Sequence, residues 1–452
     1  MEVGFEIGLY GIDVLSGNLA RSMAQHDISV SASPCPGVAL ALPRDFIALG
    51  VNVVAGLPAL TESLRHPAIL ILRAPRGPLL DAAFADALAL LRGGDLLVDA
   101  SDSWFKDASL RARAAAAKDI SYLAMGLAPN ENSDYPILLP GGRPEAVDRF
   151  RPFLHAAAPF AFAGPKAGSL GLGPSGHFIK MAHTAMENAA AEIVRECRTL
   201  LERGLGAEAG DVLRTPRVDP LFEYLRSPGP LAGAPEDREL AYWAVRAGHE
   251  LETPLLTLEA ASGARAWENR EALAEPFCQP HRSYPSDSES LVVAVHGAMA
   301  VAFIIAYGEA LALLNAASDR LGFRMNIPEI IHLWRGGTAW RSRLLGEIQA
   351  AFELTPGLPN LLFDDDFSEK VMELQEHLRH AVWQGDEWNI PTPALAAALR
   401  YIDTFRDAWL PINLVQPSDF HWTPRPDRPL ALAPVESEWE EDSLTASDTT
   451  LV

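Results

Sequence analysis

Short apolar runs, separated by turn signals and alanine-rich segments, fill the first third of this 452-residue chain. The runs are FEIGLYG, DISVSAS, VNVVAG, AILILRA, DLLVDAS, ISYLAMG and PFAFAG. Strands that alternate with helical segments are typical of a parallel sheet with crossover helices. The sequence therefore predicts an α/β domain at the start of the chain.

The pattern changes after Gly173. Long helical segments follow, such as HFIKMAHTAMENAAAEIVRECRTLLERG, and strand signals fade, which predicts a second, all-helical domain. From about Pro424 the chain reads PRPDRPLALAPVESEWEEDSLTASDTTLV, which predicts a partly disordered tail because few apolar positions recur. We expect domains at 1–173, 174–423 and 424–452.

One segment is apolar over about the length that a bilayer requires. It begins at Leu291 and reads LVVAVHGAMAVAFIIAYGEALALLNAA. The segment contains His296 and Glu309, and no basic anchors flank it. We interpret it as the buried central helix of the helical domain, and we expect no membrane partner.

Charge and cysteine content narrow the classes of function. The chain has 59 acidic and 37 basic residues, and its net charge of -22 disfavours nucleic acid and anionic lipid as partners. Cys35, Cys197 and Cys278 show no C-x-x-C spacing, which suits a reducing compartment and argues against a metal site. The N-terminus lacks signal-peptide features, so we expect a cytoplasmic protein with small-molecule or protein partners.

A turn after the first apolar run is placed where a dinucleotide would bind. It reads Gly11-Ile-Asp-Val-Leu-Ser-Gly17, and only Gly11 falls where the dinucleotide fingerprint requires glycine. Asp13 puts a carboxylate where phosphate charge would lie. A second glycine motif, GLGPSG from Gly171, follows no βαβ unit, and we interpret it as a hinge between domains.

The segment GHFIKMAHTAMEN, from Gly176, places polar side chains on one face of a predicted helix. Lys180, His183, Thr184 and Glu187 share a stripe at ~100° per residue. A lysine and a glutamate seven residues apart would hold a base and an acid about 10 Å apart, on opposite sides of a small substrate. The alternative is a solvated helix face with a salt-bridge pattern.

The same segment resembles a signature of 6-phosphogluconate dehydrogenase. Similar segments follow in the family's order: LLPGG from Leu138, LWRGGTAWRS from Leu333, NLLFDDDF from Asn360 and IPTPALAAAL from Ile390. The resemblance covers nearly the whole chain. It implies an α/β Rossmann-type N-terminal domain followed by a large all-α domain, and a homodimer in which each C-terminal tail reaches the partner subunit.

The resemblance also implies an activity. Family members oxidise 6-phosphogluconate with NADP and decarboxylate the keto acid, using a lysine base and a glutamate acid, which match Lys180 and Glu187. The residues implied to bind substrate are His183, Thr184, Asn188, Asp102, Ser103, Arg282 and His421. Those implied to bind the coenzyme, NADP or NAD, are Gly11, Val14, Leu15, Arg73 and Asp102.

Several positions depart from the family pattern. Asp102 replaces an asparagine that touches substrate and nicotinamide, and the residues that hold the NADP 2′-phosphate fall on Pro34-Cys35-Pro36. Each lost charge-assisted contact is worth roughly 1.5–3 kcal/mol, so 6-phosphogluconate is not the expected substrate. Arg73 lies in LRAPRG, where an arginine on a loop is usually solvated.

Three hypotheses follow. The chain is an oxidoreductase that acts on another polar hydroxy or keto acid, with or without decarboxylation. Alternatively, it is an authentic NADP-dependent 6-phosphogluconate dehydrogenase, or a catalytically silent dimeric scaffold or regulatory homologue. A redox-neutral decarboxylase or isomerase is a narrower form of the first hypothesis, because it would need Lys180 and Glu187 but no nicotinamide.

Overall fold

A seven-stranded sheet forms the first part of the molecule in the computed structural model. The strand order is β3-β2-β1-β4-β5-β6-β7; the first six strands are parallel, and β7 runs antiparallel to β6. The strands are β1 (Ile7–Tyr10), β2 (Val30–Ser33), β3 (Asn52–Val53), β4 (Ile69–Leu72), β5 (Leu96–Asp99), β6 (Ser121–Ala128) and β7 (Ile137–Gly142).

The structure describes residues 4–130, 134–158, 170–206, 235–265, 288–337 and 343–407. Within these ranges, the first six apolar runs of the sequence each contain a strand, as predicted. The seventh run, PFAFAG, lies outside the described residues. The predicted parallel sheet with crossover helices is confirmed for β1 to β6. Strand β7, which no apolar run of the sequence indicated, adds an antiparallel strand at the edge, where Pro140 is tolerated.

Helices connect the strands and cover the sheet. The strand order reverses between β1 and β4, and open α/β sheets commonly bind ligands at such a point, beyond the carboxyl ends of the strands. Gly11, Arg73 and Asp102 follow β1, β4 and β5 at this edge. The helices of this part are α1 (Val14–Gln25), α2 (Gly56–Glu62), α3 (Pro78–Leu90), α4 (Phe105–Ala116) and α5 (Pro144–Ala157).

The described chain is helical after residue 174, which confirms the predicted all-helical second part. The domain boundaries stay predictions, because residues 1–407 group into one compact unit. The helices are α6 (Ser175–Leu205), α7 (Pro235–Glu250), α8 (Leu256–Arg265), α9 (Ser288–Arg320), α10 (Ile327–Gly337), α11 (Arg343–Leu354), α12 (Asp365–Trp388) and α13 (Pro393–Arg406).

Helix α6 begins directly against the sheet. A Cβ atom at Gly176 would lie 2.2 Å from the Ala124 carbonyl oxygen of β6 and 2.3 Å from the Leu139 carbonyl oxygen of β7. At Gly171 it would lie 2.9 Å from the Phe323 carbonyl oxygen. These glycines of the GLGPSG motif therefore allow close packing between the sheet and the helices, which explains them without a coenzyme.

Helix α9 contains the apolar segment found in the sequence. Within the described ranges, it is the one helix long and apolar enough to cross a membrane, with a mean hydropathy of 2.1 in its most apolar window. The protein buries 83% of that window. The interpretation of this segment as a buried central helix is confirmed.

Two buried glutamates of the long helices cap the start of shorter ones. Glu309 of α9 accepts hydrogen bonds from the backbone N–H groups of Thr257 and Leu258 at the start of α8, at 2.9–3.0 Å. Glu196 of α6 accepts in the same way from Ala394 and Leu395 at the start of α13. Burial raises the pKa of Glu309 to about 8, against the lowering effect of these N–H donors.

Candidate active site

Helix α6 carries the polar stripe into the interior of the protein. Lys180, His183, Thr184 and Asn188 are buried, and Glu187 is half-buried. The start of the helix packs against β6 and β7, so its polar face cannot be turned to solvent. The alternative interpretation of this stripe as a solvated helix face is therefore wrong.

Lys180 is paired with a carboxylate of the sheet edge. Its Nζ donates a hydrogen bond to Oδ1 of Asp102, in the loop after β5. Burial acts to raise the pKa of Asp102, but the Lys180 ammonium and the Arg73 guanidinium outweigh it and hold that pKa well below its usual range. Asp102 is therefore ionised in this ion pair.

Arg73 lies on the far side of Asp102 from Lys180. Its Nη1 is 3.5 Å from Oδ2 of Asp102 and donates to the Ala100 carbonyl oxygen at 2.9 Å. Its Nε donates to Oδ2 of Asp13 at 2.7 Å. Only 8% of Arg73 is exposed, so the expectation of a solvated loop arginine is wrong.

Asp13 caps helix α1. Its Oδ1 accepts from the backbone N–H of Ser16 at 2.8 Å, and the Ser16 hydroxyl accepts from the Asp13 N–H at 2.9 Å. Although burial acts to raise it, pairing with Arg73 and the hydrogen bonds from Ser16 lower the pKa of Asp13 below its ordinary value. The sequence showed the carboxylate but not its partner: Asp13 is a neutralised cap rather than an isolated negative charge.

The turn after β1 lies at the edge of the sheet where a Rossmann-type fold would hold a dinucleotide. Gly11 has φ +98°, and a Cβ there would lie 1.8 Å from the Arg73 carbonyl oxygen, so packing alone requires this glycine. Among the described residues, no acceptor contacts the N–H groups of Val14 and Leu15 in the first turn of α1, and Val14 is 64% exposed. These two N–H groups and Arg73 can hold a coenzyme diphosphate.

His183 is buried beside a tryptophan that sequence analysis did not identify as a site residue. Its ring centroid lies 5.3 Å from that of Trp334, on α10, and its Nε2 is 3.7 Å from Oε1 of Glu187. Burial, and then the charge of Lys180, lower the pKa of His183 to about 3. His183 is therefore neutral at physiological pH, and the only sequence signal for Trp334 was the LWRGG segment.

Three buried polar atoms of this region have no hydrogen-bond partner among the described residues. They are Nε2 of His183, Nδ2 of Asn188 and Nε1 of Trp334. Buried polar groups are almost always hydrogen-bonded in folded proteins, so orphaned ones mark places where a ligand or water binds. The interior around α6 is thus suited to a polar ligand.

The remaining predicted site residues have different surroundings. Ser103 donates to Oδ2 of Asp99 at 3.4 Å and accepts from Arg111 at 3.0 Å, so its hydroxyl belongs to a protein network. Asp99 is fully buried and also accepts from Tyr122 at 2.7 Å. Sequence analysis did not foresee this network. The predicted substrate residues Arg282 and His421 lie outside the described residues.

Comparison with known proteins decides the family. Residues 236–420 match a model of the 6-phosphogluconate dehydrogenase C-terminal domain, and residues 6–164 match the NAD binding domain of 6-phosphogluconate dehydrogenase. The chain belongs to the 6-phosphogluconate dehydrogenase family. The resemblance found in the sequence, and the Rossmann-type and all-α parts that it implied, are confirmed.

Individual relatives match along most of their length. The decarboxylating 6-phosphogluconate dehydrogenase of Synechocystis is 26% identical, with 90% of this chain and 92% of the relative covered. A chloroplastic enzyme of the same name from Oryza sativa is 28% identical, with 91% and 88% covered. The Plasmodium falciparum 6-phosphogluconate dehydrogenase structure superposes with a TM-score of 0.76 at 23% identity, covering 91% of this chain and 95% of that one, and shows the shared fold.

Proposed function

We propose that this chain is an NAD(P)-linked oxidoreductase that acts on a polar hydroxy acid, with Lys180 and Glu187 exchanging protons with the substrate. The observation that carries the proposal is the buried pair of Lys180 and Asp102, at the edge of the sheet where the coenzyme turn also lies. Burying an ion pair has a large desolvation free energy, so such a pair often serves a function other than stability. Proton transfer to and from a substrate is a function that a buried lysine can perform.

The geometry supports a division of roles along α6. Lys180 takes the hydroxyl proton in its amine form, and returns a proton to the carbonyl oxygen in its ammonium form. A nicotinamide coenzyme, when bound, would supply the hydride acceptor for the carbon that carries this hydroxyl. Glu187 lies seven residues, about 10 Å, further along the helix, where it can protonate a carbon after loss of carbon dioxide. Neutral His183 lies between them and can hydrogen-bond the substrate.

The charges of the described site favour a substrate with less negative charge than a sugar acid phosphate. Lys180 and Arg73 are both engaged by carboxylates of the site, and the nearby Arg76 pairs with Glu239. The orphaned groups of Asn188 and Trp334 are uncharged donors. These features support a non-phosphorylated hydroxy acid, whereas the family match supports authentic 6-phosphogluconate dehydrogenase as a second candidate.

A steady-state screen of hydroxy acids with NADP and NAD tests the proposal. We expect a non-phosphorylated acid to be oxidised with a kcat/KM about 100-fold above that of 6-phosphogluconate, equivalent to one lost charge-assisted contact of about 2.7 kcal/mol. Preference for 6-phosphogluconate would establish the second candidate. If no acid is turned over with either coenzyme, the hypothesis of a catalytically silent scaffold would be favoured instead. The homodimer and the cytoplasmic location stay predictions.

A further inference from the structure

Four charged side chains from four separate segments form a row of alternating charge. Asp13 comes from the start of α1, Arg73 from the end of β4, Asp102 from the loop after β5 and Lys180 from α6. Successive members are in contact: Asp13 with Arg73 at 2.7 Å, Arg73 with Asp102 at 3.5 Å, and Asp102 with Lys180. The row connects the coenzyme turn to Lys180.

The backbone that carries Arg73 is fixed against the coenzyme turn. The Arg73 N–H donates to the Tyr10 carbonyl oxygen at 2.8 Å, and the Gly11 N–H donates to the Ser33 carbonyl oxygen at 2.8 Å. A Cβ on Gly11 would collide with the Arg73 carbonyl group. The backbone of Arg73 is thus held in place next to the turn. A change at the start of α1 can therefore reach Asp102 through the side chain of Arg73.

Arg73 is shared unequally between the two carboxylates. Its contact with Asp13 is shorter than its contact with Asp102. Asp13 therefore weakens the electrostatic attraction between Arg73 and Asp102. If Asp13 lost its charge, Arg73 would pair more fully with Asp102 and weaken the attraction of Asp102 for Lys180. Arg76 adds positive charge near Asp102 but forms its own ion pair with Glu239 at 2.8 Å.

We propose that Arg73 is a positioning residue that couples the start of α1 to Lys180 through Asp102. An anion that replaces Asp13 as the partner of Arg73 then alters how strongly Asp102 attracts Lys180. The use of this coupling by a coenzyme diphosphate rests on the proposed function. The coupling itself involves only residues of this chain, and it is measurable without coenzyme or substrate.

Competitive acetylation of lysines in the full chain, read by mass spectrometry, tests the coupling. Acetic anhydride reacts with neutral amines, and the half-buried Lys370 of α12, which pairs with Glu347, serves as the reference in the same molecule. We expect Asp13→Asn to raise Lys180 acetylation relative to Lys370 about three- to tenfold, since a unit change in proton affinity is tenfold. Arg73→Met should lower it, because Asp102 then pairs with Lys180 alone.

The double variant Asp13→Asn with Arg73→Met should acetylate like Arg73→Met, because the link is absent. Asparagine preserves the cap of α1, so Asp13→Asn removes charge without removing the cap. Asp45→Asn is the matched control, since Asp45 pairs with Arg21 instead, and it should change nothing. If Arg73→Met fails to fold, Arg73→Lys should behave like the wild type. The proposal is overturned if Asp13→Asn leaves Lys180 acetylation unchanged, or if Lys180 is acetylated in none of the variants. It is also overturned if Asp13→Asn changes Lys180 acetylation by the same factor in the wild type and in the Arg73→Met background.

Discussion

Replacement of Lys180 by methionine is expected to lower kcat about 10³-fold, because a positioned proton-transfer group contributes about 10²–10⁴-fold. Methionine approximates the length of lysine but carries no proton. Asp102 would keep Arg73 as a partner at 3.5 Å, so the site should remain folded and ligand affinity should change less than kcat. The measurement is steady-state kinetics on the best acid of the substrate screen.

Two further variants separate proton transfer from charge. Lys180→Arg retains a cation beside Asp102 but does not give up its proton, so it should be as inactive as Lys180→Met. Lys370→Met removes a half-buried lysine of α12 that pairs with Glu347 and should keep full activity. Turnover of Lys180→Met within tenfold of the wild type would remove Lys180 from the reaction.

Replacement of Glu309 by alanine is expected to lower the free energy of unfolding by about 3–5 kcal/mol. The substitution leaves the buried N–H groups of Thr257 and Leu258 without the Glu309 acceptor. It also opens a cavity between α9 and the start of α8. Urea unfolding of the wild type and the variant measures the loss. Glu259→Ala, on the exposed side of α8, is the control and should change stability by less than about 1 kcal/mol.

Glu309 also gives the stability a pH dependence of defined sign. Its pKa is raised from 4.5 to about 8 in the folded protein, so the folded state favours the protonated form. The resulting stability is fully present below pH 4.5 and is lost as the pH rises through about 8. Glu309→Gln cannot ionise, so its free energy of unfolding should fall less than that of the wild type over this window. A parallel pH dependence for both proteins would contradict the assignment.

Much of the fold was predictable because local patterns determine it. Buried parallel strands appear in the sequence as short apolar runs, and six of them proved to contain strands. The long helix α6 was predictable from its periodic apolar positions and its lack of breakers. Strand β7 was not, because Pro140 and its two glycines resemble a turn, and only pairing with β6 reveals the strand.

The site was predictable in its residue types but not in its pairings. The charges of Lys180 and Asp102 were visible, yet they are 78 residues apart, and nothing local shows that they meet. Arg73 resembled a solvated loop residue for the same reason, since its partner Asp13 is 60 residues away. In the sequence, Glu309 was only an acidic residue in an apolar helix. The N–H groups that donate hydrogen bonds to it belong to the start of another helix, far away along the chain.

Calorimetric titration of the purified protein with NADPH and with NADH tests the central claim most directly. The N–H groups of Val14 and Leu15 in the first turn of α1, together with Arg73, should bind at least one of the two with a Kd of about 1–100 μM. Binding in this range is the result that the account predicts. No heat of binding with either coenzyme, from a protein shown to be folded, would contradict an NAD(P)-linked oxidoreductase.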